Sequence, residues 1–153
     1  MISFAEHAAL LREQMAASRN VPEVAAVRIG RYARALAKGY IGQETPDWPP
    51  LAERTVADKQ RLGFVNRVSA TDPLLRTGSM RDSIELRLVR FEGGASAVVG
   101  SAERKALYQE IGTRNMPPRS FLARAMREVE PAAQAVLSAA VRGVFEPAEG
   151  FSE

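Results

Sequence analysis

Ile84-Glu-Leu-Arg-Leu-Val-Arg-Phe-Glu-Gly-Gly-Ala-Ser-Ala-Val-Val-Gly100 is the stretch in which the hydrophobic pattern of this chain changes to a period of two. Ile84, Leu86 and Leu88 alternate with Glu85, Arg87 and Val89, the pattern of a strand with one buried face. Glu92-Gly93-Gly94 is a hairpin turn signal, and Ala95 to Gly100 reads as the returning strand. A lone two-stranded hairpin is marginal in water. It needs helices on one face, further strands, or strands from a neighbouring subunit. The expected class is therefore α+β: a small antiparallel sheet built on this hairpin, packed against N-terminal and C-terminal helices.

Upstream, Ser3 and Glu6 form a capping box, and Phe4, Ala8, Leu11 and Met15 repeat at helical spacing, which predicts a first helix over about Phe4–Ala17. Pro22 suits the first turn of a second helix. Its apolar stripe is Ala26, Ile29, Ala33, Leu36 and Tyr40, and Gly39 and Gly42 end it. Arg28, Arg31, Arg34 and Lys38 form a basic stripe on the opposite face. Such a stripe is either a solvated helix face or a contact for DNA or an acidic partner.

Residues about 43–72 are weakly patterned, and a mobile loop is expected there. Pro46, Trp48, Pro49 and Pro50 exclude regular structure at its start, while Thr55 to Leu62 can make a short helix stopped by Gly63. Trp48, the single tryptophan, is either a core plug or an interface anchor. Downstream of the hairpin, Glu103 to Ile111 predicts a short helix ending at Gly112, and Pro117-Pro118 holds the next segment extended. Phe121, Ala125, Val129, Ala133, Val136, Ala140 and Val144 then continue a helical stripe to about Phe145. Pro131 either kinks that helix or begins another. A frayed tail is expected over about 146–153. No internal repeat is present, and residues 1–153 read as one domain.

Composition narrows the function more by exclusion than by assertion. With 21 Lys+Arg against 18 Asp+Glu the net charge is only +3, short of the clustering common in nucleic-acid binders. No apolar run approaches bilayer length, and no secretory leader pattern is seen, so no membrane association is expected. Cysteine is absent, which excludes disulfides and cysteine-based zinc sites. His7 is the single histidine, placed in the first helix, and no phosphate-cradling glycine loop occurs. No metal and no cofactor are expected. No catalytic residue is assigned, and the pattern points away from an enzyme.

Three blocks carry a resemblance. They are Trp48-Pro-Pro-Leu51 with Thr55, Lys59 and Gly63; Leu74-Leu-Arg-Thr-Gly-Ser-Met-Arg-Asp-Ser-Ile84; and Tyr108-Gln-Glu-Ile-Gly-Thr-Arg-Asn-Met-Pro-Pro-Arg-Ser-Phe-Leu122. In this order they resemble the tail-completion and virion-morphogenesis proteins of tailed phages, prophages and gene transfer particles, over about half of the chain. The sequence departs from that pattern at Met80, where leucine is usual, and at Ile111, where an aromatic is common. Arg114-Asn115-Met116 also replaces a short basic or serine-containing linker. Tail terminator, head-closure protein and tail-completion factor stay open as subfamilies.

The resemblance implies a structural protein of the virion neck, assembled in the bacterial cytoplasm into a ring of six-fold symmetry. Its implied partners are further copies of itself, the tail tube protein, the head-closure or connector proteins, and genomic DNA in the channel. Candidate subunit contacts are Trp48, Leu51, Arg76, Thr77, Arg81, Tyr108, Glu110, Thr113, Arg119 and Phe121. Arg119 either pairs with a neighbour's carboxylate or braces the proline turn through an internal salt bridge. The alternative function is a nucleic-acid-binding module using the Arg28–Lys38 face.

Overall fold

The computed structural model describes residues 20–63 and 69–145, together with Ala9, Glu13 and Ser18. The predicted first helix and His7 lie outside the described residues, apart from Ala9 and Glu13, which are helical and exposed. Among the described residues from 20 onward the elements are, in order, α1 (Val21–Tyr40), α2 (Glu53–Leu62), the single turn α3 (Ser79–Asp82), β1 (Ile84–Phe91), β2 (Gly94–Ser101), α4 (Arg104–Ile111) and α5 (Leu122–Phe145). The fold is α+β, with β1 and β2 paired antiparallel from Ile84–Ser101 to Phe91–Gly94.

α1 packs against both the hairpin and α5. Its first turn carries Pro22 and Glu23 and its last turn Lys38, each placed to suit the helix dipole. The buried face is made of small residues, Ala25, Gly30, Ala33 and Ala37, closed by Tyr40. Ala33 and Tyr40 of the expected stripe are buried, while Ala26, Ile29 and Leu36 are half-buried. Small side chains bring the helix close to the sheet. A Cβ built on Gly30 would lie 2.5 Å from Leu86 Cδ1 and 2.7 Å from Ala97 Cβ. Leu86 can change rotamer, but the Ala97 methyl is fixed to its strand. Gly30→Ala gains about 1 kcal/mol of helix propensity and loses about 1–3 kcal/mol to overpacking. Net destabilisation of about 1 kcal/mol is expected in denaturant unfolding, and a more stable variant would mean that α1 does not sit this close to the hairpin.

The core lies at the C-terminal end of α1. Ala37, Tyr40, Ile41, Leu75, Met80, Ile84, Ala106, Phe121 and Ala125 form one buried cluster, with Trp48 packed on its margin. Phe121, just before α5, and Ala125 and Val129 within it enter the interior, and α5 lays Arg124 over the Tyr40 ring at 5.0 Å. α5 runs unbroken through Pro131, an exposed position at which the missing N–H costs one backbone bond.

Burial along β1 falls from Ile84, fully buried, to Phe91, 58% exposed. The hairpin therefore leaves the core and runs back along α1 toward its N-terminus. Arg90 fastens the far end there, donating from Nε to Glu23 Oε2 at 2.8 Å and from Nη2 to Glu23 Oε1. The Arg90 hydrogen bond lowers the Glu23 pKa below its ordinary 4.5. The unfolded chain then binds more protons than the folded one just below pH 4.5, so stability falls as pH drops through that window. Glu23→Gln is expected to flatten this part of the stability-against-pH curve, as read by thermal melts at stepped pH.

The structure alters two expectations about single residues. Phe121 is the largest fully buried side chain among the described residues, so it is a core residue and offers no surface to a neighbouring subunit. Arg34 does not stand free in a basic stripe. It is half-buried, and its Nε donates to Ile84 O at 2.9 Å, joining α1 to the start of β1. The exposed remainder of that stripe is Arg28 and Arg31, with Lys38 half-buried.

Candidate functional site, a cavity around Arg119

The connector from α4 to α5 folds back on α4. It begins at Gly112 with φ +76° and ψ 177°, a backbone state essentially confined to glycine. Thr113 and Met116 exchange backbone hydrogen bonds at 2.8 and 3.2 Å, turning the chain over Arg114 and Asn115. Pro117 and Pro118 lack N–H groups and carry the chain back extended. Arg119 N then donates to Gln109 O at 2.6 Å, and Ser120 Oγ donates to Glu110 O at 2.8 Å.

Glu110 completes the connector. Its Oε2 accepts from Phe121 N at 3.0 Å and Leu122 N at 2.9 Å, and its Oε1 accepts from Ala123 N at 2.8 Å. These N–H groups have no partner inside the helix they open. A carboxylate from α4 thus caps the first turn of α5, where the helix dipole also favours negative charge. Glu110 serves the protomer's own fold through both carboxylate oxygens.

Arg119 emerges from this connector 95% buried, its residual exposure being 5%. Its Nη2 donates to Pro49 O at 3.0 Å and Pro50 O at 3.2 Å, drawing the Trp48-Pro-Pro segment against the connector. The brace is made to carbonyls, so the internal salt bridge weighed for Arg119 is replaced by neutral acceptors. Its Nε–H is buried with no acceptor among the described residues. Among the described residues no carboxylate lies within ion-pair distance of it, and burial lowers its pKa from that of a free guanidinium.

Beside it opens a cavity of about 480 Å³, lined by Leu51, Leu74, Arg76, Gln109, Met116 and Arg119 among others. Lys59 lines it as well. The Lys59 Nζ donates to Asp72 O at 2.7 Å and Ser69 O at 3.3 Å, and burial lowers its pKa from 10.5, partly opposed by the Asp72 charge. Leu74 has φ +64°, an uncommon state for leucine. Gln109 Oε1, also at this cavity, is buried without a hydrogen-bond partner among the described residues. A second cavity of about 310 Å³ adjoins through Pro50 and Leu51 and is lined by Trp48.

The structure thus gathers Leu51, Arg76 and Arg119 at one cavity and sets Trp48 at its neighbour. Trp48 is half-buried against the core, so it serves partly as the plug the sequence suggested. Tyr108 lies elsewhere, on an exposed face of α4 with Leu107 and Ile111. Thr113 is exposed in the connector turn. Thr77 Oγ1 accepts from Ser79 N at 3.4 Å at the head of α3, and Arg81 lies 3.9 Å from Asp82. Lys59, Gln109 and Met116 fall within the resembling blocks, but the sequence did not assign them to a site. Lys59 sits in a helix rich in charge, and nothing local separates it from an exposed lysine. Comparison with family models, curated proteins and solved structures finds no match to this chain.

Proposed function

We propose that this chain is a structural protein of the head–tail junction in a tailed phage, prophage or gene transfer particle, acting as a ring that completes the tail and joins it to the head. The observation that carries the reading is the convergence of the three resembling blocks. Pro50, Leu51, Thr55 and Lys59 from the first, Leu74, Leu75 and Arg76 from the second, and Gln109, Met116 and Arg119 from the third all line one cavity. Blocks separated by tens of residues come together when they build one feature, and a scatter over the surface would have argued for chance.

Surface chemistry favours association. Leu107, Tyr108 and Ile111 form an exposed apolar strip on α4, and Val89, Phe91 and Val98 stand exposed on the hairpin. Both hairpin edges are unpaired among the described residues. Open edges and apolar strips are surfaces that a neighbouring subunit can cover. A ring requires them on different sides of the protomer, since a rotation that closes joins unlike patches.

Electron microscopy of particles made without this protein tests the reading. Full heads beside detached tails are expected for a joining or closure role, and tails of uncontrolled length for a terminator. Normal infectious particles would remove the proposal.

A further inference from the structure

We propose that the Arg119 cavity receives the hairpin tip of a second copy of this chain, with the Glu92 carboxylate accepting hydrogen bonds from the Arg119 guanidinium. This rests on the ring reading above and names the contact that would build the ring.

Arg119 supplies the first argument. A guanidinium this deeply buried loses hydration, and such a charge is normally paired. Here the two carbonyl oxygens nearby do not suffice: Nη2 holds the Pro49 and Pro50 carbonyls, while Nε–H has no acceptor among the described residues. The two acidic residues lining the cavity are engaged elsewhere. Asp58 lies 3.2 Å from the Arg61 guanidinium, and Asp72 Oδ2 accepts from Ser69 N at 2.7 Å. Arg76 is exposed at the same cavity and adds positive charge. Lys59 is a further cation in the wall, which otherwise joins the apolar Leu51, Leu74 and Met116 to the polar Thr55, Gln109 and Asn115. A site of this composition selects a carboxylate carried beside an apolar group.

The hairpin tip has that composition. Glu92 is exposed and makes no ion pair among the described residues. Phe91 precedes it, 58% exposed, with its ring lying over Gly94, where a Cβ would be 2.7 Å from Phe91 Cε2. Glycine at 94 keeps the aromatic flat against the strand end beside the carboxylate.

Topology supplies the third argument. Arg90 holds the tip at Glu23, in the first turn of α1. The cavity sits at the other end, where Gly42 N donates to Pro73 O at 3.0 Å and Leu75, a cavity residue, packs on Gly42. Twenty residues of helix, about 30 Å, separate the two. Tip and cavity cannot meet within one protomer. Between protomers they form a head-to-tail contact of unlike surfaces, the kind that closes into a ring or propagates as a filament.

The test uses the purified full chain in sedimentation velocity across a concentration series. Glu92→Gln and Glu92→Arg sit on an exposed turn and are expected to melt like wild type. Glu92→Gln should weaken association about 30-fold or more, since it strips one partner from a buried charge pair, and Glu92→Arg should leave monomer. Because the chain has no cysteine, Ser96→Cys and Asn115→Cys place single thiols near the tip and at the cavity mouth. A short bifunctional maleimide should join them into a ladder of covalent multimers in the double variant. Assembly by Glu92→Arg equal to wild type would overturn this contact and leave the ring to another interface. Wild-type chain that stays monomeric and gives no ladder at any concentration would remove the contact together with the ring reading.

Discussion

Gly112→Ala is expected to cost about 4 kcal/mol of stability, the largest loss of any conservative change in the connector. Two separate penalties add. At φ +76° and ψ 177° a side chain is strained by about 1–3 kcal/mol. The new Cβ would also lie 2.9 Å from both Met116 O and Pro118 N. Those are backbone atoms of the turn that carries Arg119, so no rotamer relieves the collision, and overpacking of this kind costs about 1–3 kcal/mol more. In a domain of this size the sum lowers the melting temperature by about 8–16 °C.

Two other glycines separate the terms. Gly63 has φ +82° and ψ 161° with nothing within 4 Å of a built Cβ, so Gly63→Ala should cost the strain alone. Gly39 lies inside α1 with open space around it, so Gly39→Ala should be neutral or stabilising by up to about 1 kcal/mol. Equal losses at Gly112 and Gly63 would mean that the connector does not close as tightly as described.

Glu110→Ala is expected to cost about 3 kcal/mol. Three backbone N–H groups at the head of α5 lose their acceptors together with the charge that faces the helix dipole. Loss of an ordinary helix cap costs about 0.5–2 kcal/mol, and bonds to a charged group are stronger, at about 1.5–3 kcal/mol. Water can partly replace the carboxylate at Ala123 N, which is the exposed member, but less readily at Phe121 N and Leu122 N. Glu110→Gln keeps one acceptor oxygen and drops the charge, so about half the loss is expected. Urea unfolding of the three proteins reads this order directly. A Glu110→Ala protein as stable as wild type would show that α5 does not depend on the remote cap.

The stability of the candidate site follows from these two residues. Gly112 sets where the connector turns and Glu110 sets where α5 begins, and Arg119 lies between them with its backbone held by Gln109 O. Either substitution is therefore expected to loosen the Arg119 cavity before it reaches the hairpin, which is tied to α1 by Arg34 and Arg90.

Periodicity carried much of the fold. The alternation at Ile84, Leu86 and Leu88 gave β1, and the stripes ending at Tyr40 and beginning at Phe121 gave α1 and α5, because each element shows its buried face in local spacing. Turn chemistry placed the hairpin and the ends of α2 and α4, where Gly93, Gly63 and Gly112 all have positive φ. Pro131 was ambiguous for a physical reason: whether a proline ends a helix depends on what the rest of the helix packs against. α5 continues through it and packs against α1.

The site was legible only in outline. Arg119 could be singled out by its place after two prolines, yet its burial and its neutral partners come from Pro49 and Pro50, about seventy residues away in the chain. Glu110 stood in the sequence only as a candidate subunit contact, and Phe121 as a contact as readily as a core residue. The sequence by itself determined the elements, the stiff connector and the absence of cysteine chemistry, since those depend on residue type and near neighbours. Tertiary structure alone decided which charges are buried, because desolvation depends on what the rest of the chain brings to cover them. Lys59 and Arg119 became interior cations, and Arg34 became a brace, only when distant segments closed over them.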